Sequence, residues 1–130
     1  MQTNHSQTKI LVMDDDSANL DAFATCLSLS GYLVVKASTG EEAISEYQKA
    51  LSAKKIDLLL LDLTVEGGVG GLETLQELIK IDPQVKAIAV SGYTTNPVIT
   101  NPTHYNFINA LAKPCLPEKL LKIIEEALNQ

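Results

Sequence analysis

Five short apolar runs alternate with helix-period segments along these 130 residues, and that alternation constrains the fold more than any other feature. The runs are ILVM (10–13), YLVV (32–35), IDLLLL (56–61), VKAIAV (85–90) and FINALA (107–112). None alternates cleanly between apolar and polar residues. Each therefore reads as a strand covered on both faces, as in a parallel sheet. Between the runs, Leu20, Phe23, Ala24 and Leu27 form one helical stripe, with Gly31 where it should stop. Thr39 and Glu42 have capping-box spacing ahead of a second helix. Leu72, Leu75, Leu78 and Ile79 form a third stripe, closed before Pro83. Leu120, Leu121, Ile124 and Leu128 form the last, with Pro117 in its first turn. Pro97 and Pro102 allow only a short or broken helix across 94–105. Strands alternating with helices predict an α/β domain with right-handed crossovers.

Size and charge narrow the classes. The chain is long enough for one core, and 45% apolar residues can fill it. A net charge of −6 argues against a nucleic-acid or anionic-membrane surface. No apolar run reaches spanning length. The polar start MQTNHSQT lacks the basic and apolar regions of a signal peptide, so residues 1–8 are expected to be a flexible tail and 9–130 the domain. Cys26 and Cys115 fit no zinc spacing and read as free thiols in a reducing cytoplasm. His5 and His104 fit no metal or catalytic pattern, and His104 reads as a surface residue.

The strand ends carry the chemistry. In open parallel sheets, ligands bind beyond the carboxyl ends of the strands, where strand order reverses. The first run ends in Asp14, Asp15 and Asp16, the third in Asp62, the fourth in Ser91 and the fifth in Lys113. Singly, each has a plain structural explanation as a cap or turn residue. Jointly they bring polar groups from four strands to one edge. Two carboxylates about 4 Å apart repel by roughly 4 kcal/mol at an effective dielectric near 20. Asp14, Asp15 and Asp62 can share a cleft only with compensation. Lys113 supplies one charge, and a hard divalent cation such as Mg²⁺ would supply two more. A cation beside a carboxylate suits phosphoryl transfer.

MDDD, LLLLDLT, AVSG and AKP, in this order, resemble the motifs of the bacterial response-regulator receiver family over roughly residues 8–129. The resemblance implies a flavodoxin-like (βα)5 fold, doubly wound around a five-stranded parallel sheet of order 2-1-3-4-5. It implies that Asp62 takes a phosphoryl group from a histidine kinase or histidine phosphotransfer protein. Asp15 would bind Mg²⁺ directly and Asp14 through water, with the Thr64 carbonyl as a further ligand. Ser91 and Lys113 would meet the phosphoryl group and start a surface switch. Thr64 and Tyr93 would flank the site and govern water access. Such a domain is not an enzyme beyond its own phosphorylation and dephosphorylation. It works in the cytoplasm, with any kinase or output domain fused outside this chain.

The departures are local. Val65 and Glu66 replace the family's usual Met-Pro pair, and the loop TVEGGVGG is one residue longer. With VSGYTTNPV, it resembles receivers of hybrid sensor kinases. Ala110 stands three before Lys113, where the family often has an aromatic switch residue. Two rival readings remain. A haloacid-dehalogenase-like phosphatase would need an acid two residues after the nucleophile, where Thr64 stands. A degenerate receiver would serve only as a docking module.

Overall fold

The computed structural model describes residues 8–65 and 69–130. Most of the tail expected at 1–8, His5 included, and residues 66–68 of the glycine-rich loop therefore lie outside the described residues.

The chain runs β1 (Lys9–Met13), α1 (Ser17–Leu29), β2 (Leu33–Ala37), α2 (Gly40–Leu51), β3 (Leu58–Asp62), α3 (Gly71–Ile81), β4 (Ala87–Ser91), α4 (Pro97–Thr100), a 3-10 turn (Pro102–Tyr105), β5 (Asn109–Ala112) and α5 (Pro117–Leu128). All strands are parallel, in the order β2-β1-β3-β4-β5. This is the expected doubly wound architecture.

The four consecutive leucines of β3 divide between two cores. Leu59 and Leu61 face one layer, with Leu11, Met13, Ala43, Tyr47, Leu75 and Leu78. Leu58 and Leu60 face the other, with Ile10, Val12, Leu20, Leu27, Leu120 and Ile124. Strand side chains alternate between faces, so a strand with helices on both sides needs apolar residues at every position. Full burial of each leucine is worth about 1.5 to 3 kcal/mol. The expectation of two covered faces holds for β1, β3 and β4 but not for the edges. Leu33 of β2 is partly exposed and Lys36 is exposed, because an edge strand has a neighbour on one side only.

Helix boundaries follow local chemistry. Asp16 caps α1 by accepting the Asn19 N–H at 3.0 Å. Thr39 caps α2 by accepting the Glu42 N–H at 3.1 Å, but the reciprocal half of the capping box moves by one residue. The Glu42 carboxylate accepts the N–H of Ser38 at 3.0 Å and also its hydroxyl. Pro102 ends the fourth helix as expected: α4 has one turn, and Asn101 leaves it at φ −146° before the 3-10 turn begins.

At the pole opposite the strand carboxyl ends, the buried Tyr47 hydroxyl donates to Asp82 at 2.7 Å, and Lys55 pairs with Asp82 at 2.9 Å. The Tyr47 hydrogen bond, then Lys55, hold the Asp82 carboxyl below the ordinary range. A depressed acid stabilises the fold above its unfolded value, near 4, and that contribution disappears as pH falls through the folded value. Asp82→Asn is therefore expected to lose about 1.5 kcal/mol at pH 7, and progressively less as pH falls through the folded Asp82 value. Urea melts across that range check this.

Candidate functional site

The sheet's register decides which side chains meet. Ile10, Val12, Leu58, Leu60 and Leu111 all face the α1–α5 layer. Continuing that alternation places Asp14, Asp62 and Lys113 on the same side, just beyond the strand ends. There Lys113 Nζ donates to Asp14 Oδ2 and to Asp62 Oδ2, at 3.1 Å each. Asp14 and Asp62 are almost wholly buried. Asp14 Oδ1 accepts the Asp16 N–H at 2.9 Å, and Asp62 Oδ1 accepts the Thr64 N–H at 3.0 Å.

Exposed Asp15 completes a carboxylate group whose ligand atoms, one each from Asp14, Asp15 and Asp62, lie within 4.8 Å of one another. Three acids against one lysine leave two net negative charges, a deficit that a divalent cation matches. All-oxygen donors suit a hard cation rather than zinc or copper. Each carboxylate oxygen has two acceptor directions, so the existing bonds do not exhaust them. The donor set therefore fits Mg²⁺.

Burial pushes the Asp62 carboxyl above its ordinary value, and nearby Asp14 adds to the rise. The Thr64 N–H and Lys113 oppose it without cancelling it. Burial also acts against the Lys113 charge, but its bonds to Asp14 and Asp62 hold the ammonium above its usual value. A desolvated, more basic carboxylate is a better nucleophile than a solvated one.

The open cleft has a volume of about 690 Å³, and its walls include Asp14, Asp15, Asp62, Thr64, Tyr93 and Lys113. Five of the six candidate site residues thus meet. Ser91 does not line the cleft. It lies at the carboxyl end of β4 with the opposite alternation, buried, its hydroxyl accepting the Tyr93 N–H at 3.0 Å. Tyr93 itself is 65% exposed at the rim. Asn19 also lines the cleft and was not singled out from sequence. Its position in the first turn after the acidic run was the available signal.

The start of α3 is built for close approach to Asp62. A Cβ on Gly71 would stand 2.7 Å from the Asp62 carbonyl oxygen, so only glycine lets α3 begin against the end of β3. Cys26 and Cys115 are free thiols beside an adjoining, more apolar pocket that shares Asn19 and Lys113 with the cleft. Burial pushes both thiols up, which makes them poor nucleophiles. His104 is exposed and stacks edge-on against Tyr105.

Comparison with known proteins agrees with this geometry. The family described as the response regulator receiver domain matches residues 10–125. The transcriptional regulatory protein GlrR of Escherichia coli K12 is 28% identical over 98% of this chain and 28% of its own length. The CAI-1 autoinducer sensor kinase/phosphatase CqsS of Vibrio cholerae is 33% identical over 72% of this chain and 13% of its own length. A CheY-like receiver domain protein from Methanospirillum hungatei superposes with a TM-score of 0.80 at 30% identity, covering 94% of both chains. The chain thus spans less than a third of the length of these two curated relatives. No helix among the described residues is long and apolar enough to cross a membrane.

Proposed function

The chain belongs to the response regulator receiver family, and from that premise we propose that it accepts a phosphoryl group on Asp62 with Mg²⁺ bound beside it. The donor is a histidine kinase or a histidine phosphotransfer protein. The observation that carries this reading is the position of Asp62. It is a buried carboxylate at the end of the central strand, tied by Lys113 to Asp14, at the edge of an open acidic cleft.

Asp14, Asp15 and the Thr64 carbonyl, with Asp62, would hold the cation. When bound, it neutralises the phosphoryl oxygens. An Asp62 oxygen attacks phosphorus in line. The phosphorus–nitrogen bond to the donor imidazole breaks, and the electron pair returns to the ring nitrogen, leaving an acyl phosphate on Asp62. Lys113 is already within hydrogen-bond reach of that carboxylate and pairs with the added charge. Thr64 and Tyr93 flank the acyl phosphate against water. The intact acid and lysine set argues against a docking-only role, and Thr64 cannot act as the general acid of a phosphatase.

Because phosphohistidine is made from ATP inside cells, the domain is assigned to the cytoplasm, alone or fused to a kinase or output segment. Incubation with a small acyl-phosphate donor and Mg²⁺ should add one phosphoryl group, and a chelator should prevent the addition. Uptake that ignores the chelator would contradict the reading.

Ser91 connects the charge to the surface. Its hydroxyl accepts the Tyr93 N–H and keeps its own proton to donate to a phosphoryl oxygen, and β4 leads directly into the broken helical segment 92–106. A one-turn helix followed by a 3-10 turn has few internal hydrogen bonds and low local stability. Ala110 offers no aromatic ring to flip, so the backbone carries the change. With beryllofluoride and Mg²⁺, amide exchange is expected to change most across 91–106. A change confined to α1 and α2 would refute this route.

A further inference from the structure

Apart from the tyrosines, the described residues include four buried polar or charged side chains. Asp14, Asp62 and Ser91 belong to the site already described. The fourth, Thr74, lies on α3 and is fully buried at 0% exposure. Its neighbours come from three elements, two of which lead to cleft residues. Its hydroxyl donates to the Gly70 carbonyl at 2.8 Å, and its N–H donates to the same oxygen at 3.0 Å. That carbonyl belongs to the residue that caps α3, and the next residue, Gly71, packs against the Asp62 carbonyl. The Thr74 Oγ1 also lies 3.9 Å from the sulfur of Met13, the residue immediately before Asp14. On its third side is the start of α2. A Cβ on Gly40 would stand 2.3 Å from Thr74 Oγ1 and 2.7 Å from the Val69 carbonyl oxygen.

We infer that Thr74 is a positioning residue for the acidic cleft. It ties the end of β1, which presents Asp14, to the loop that leaves Asp62, and so sets the spacing of the carboxylates that receive the cation. The inference rests on the Mg²⁺-dependent reading above. A hydroxyl serves here because one small group bonds the loop carbonyl while packing against sulfur and a bare Cα. Glycine at 40 leaves the room for it. On the cleft side Lys113 bridges Asp14 and Asp62, and β1 pairs directly with β3; Thr74 braces the same strand end from the opposite face, where Met13 points.

Thr74→Val keeps the shape and removes the donor, and Thr74→Ser keeps the donor. The Mg²⁺ dissociation constant of the purified chain, measured by titration calorimetry without any phosphodonor, separates the possibilities. Partners that orient metal ligands shift affinity about 10- to 100-fold when lost, and Thr74 acts one contact farther out. Thr74→Val is therefore expected to weaken Mg²⁺ binding roughly three- to ten-fold, and Thr74→Ser to restore it to within about two-fold. Melting temperatures are recorded for both. If Thr74→Val melts lower but binds Mg²⁺ as the unmodified chain does, Thr74 is a packing residue only and the inference fails. Equal weakening in both variants would also overturn it, because the hydroxyl would then not be the operative group. If the unmodified chain binds no Mg²⁺, the reading of the cleft itself fails, which is a separate outcome.

Discussion

Replacing Lys113 with methionine is expected to destabilise the metal-free protein by on the order of 3 kcal/mol. Methionine keeps the length and apolar stem of the side chain but leaves Asp14 and Asp62 buried together without a cation. Lys113 is bonded to both at 3.1 Å, and its side chain is 19% exposed, so solvent does little to replace it. The carboxylates can relieve the strain by taking up a proton, which caps the loss. Millimolar Mg²⁺ should return much of the stability, because the variant cleft is more negative than the native one. Thermal melts at pH 7 with and without Mg²⁺ measure both effects. A variant as stable as the native chain without metal would mean that the Lys113 bridge contributes little.

Asp62→Asn is expected to act in the opposite direction on stability and to abolish phosphoryl uptake. The amide can still accept the Thr64 N–H, and Lys113 keeps Asp14. The change removes a charge that burial disfavours, as well as its repulsion with Asp14. For an acid raised by folding, ionisation opposes folding. The native and variant chains should therefore be nearly equally stable well below about pH 4, where Asp62 is protonated in both the folded and unfolded states. The variant's advantage should grow as pH rises from about 4 to the native Asp62 value and hold constant above it. At pH 7 a gain of about 1 kcal/mol would raise the melting temperature by several degrees for a domain of this size.

Much of this was legible in the sequence because its signals are local. Leu58–Leu61 read as a strand covered on both faces, and the structure covers it so. Asp14, Asp62 and Lys113 each follow a run that ends at the same sheet edge, and Pro102 stops α4 where expected. What was not legible depends on partners distant in sequence. Leu33 and Lys36 are exposed because β2 lies at the edge, and strand order is not written in periodicity. Ser91 ends the right strand but has the other alternation, so it stands behind the cleft wall rather than in it. The run TVEGGVGG reads only as a lengthened loop, whereas Gly71 is needed for the approach to the Asp62 carbonyl. Thr74 gave no signal, since its three partners come from β1, α2 and the loop before α3.

Which aspartate receives the phosphoryl group can be read directly. An acyl phosphate is reduced by borohydride to an alcohol, which converts the modified aspartate into homoserine and marks it for peptide mass spectrometry. After incubation with a small acyl-phosphate donor and Mg²⁺, homoserine should be found at position 62 and at no other aspartate. Homoserine at Asp14 or Asp15, or a phosphoryl group retained in full by Asp62→Asn, would contradict the assignment of Asp62 as the acceptor.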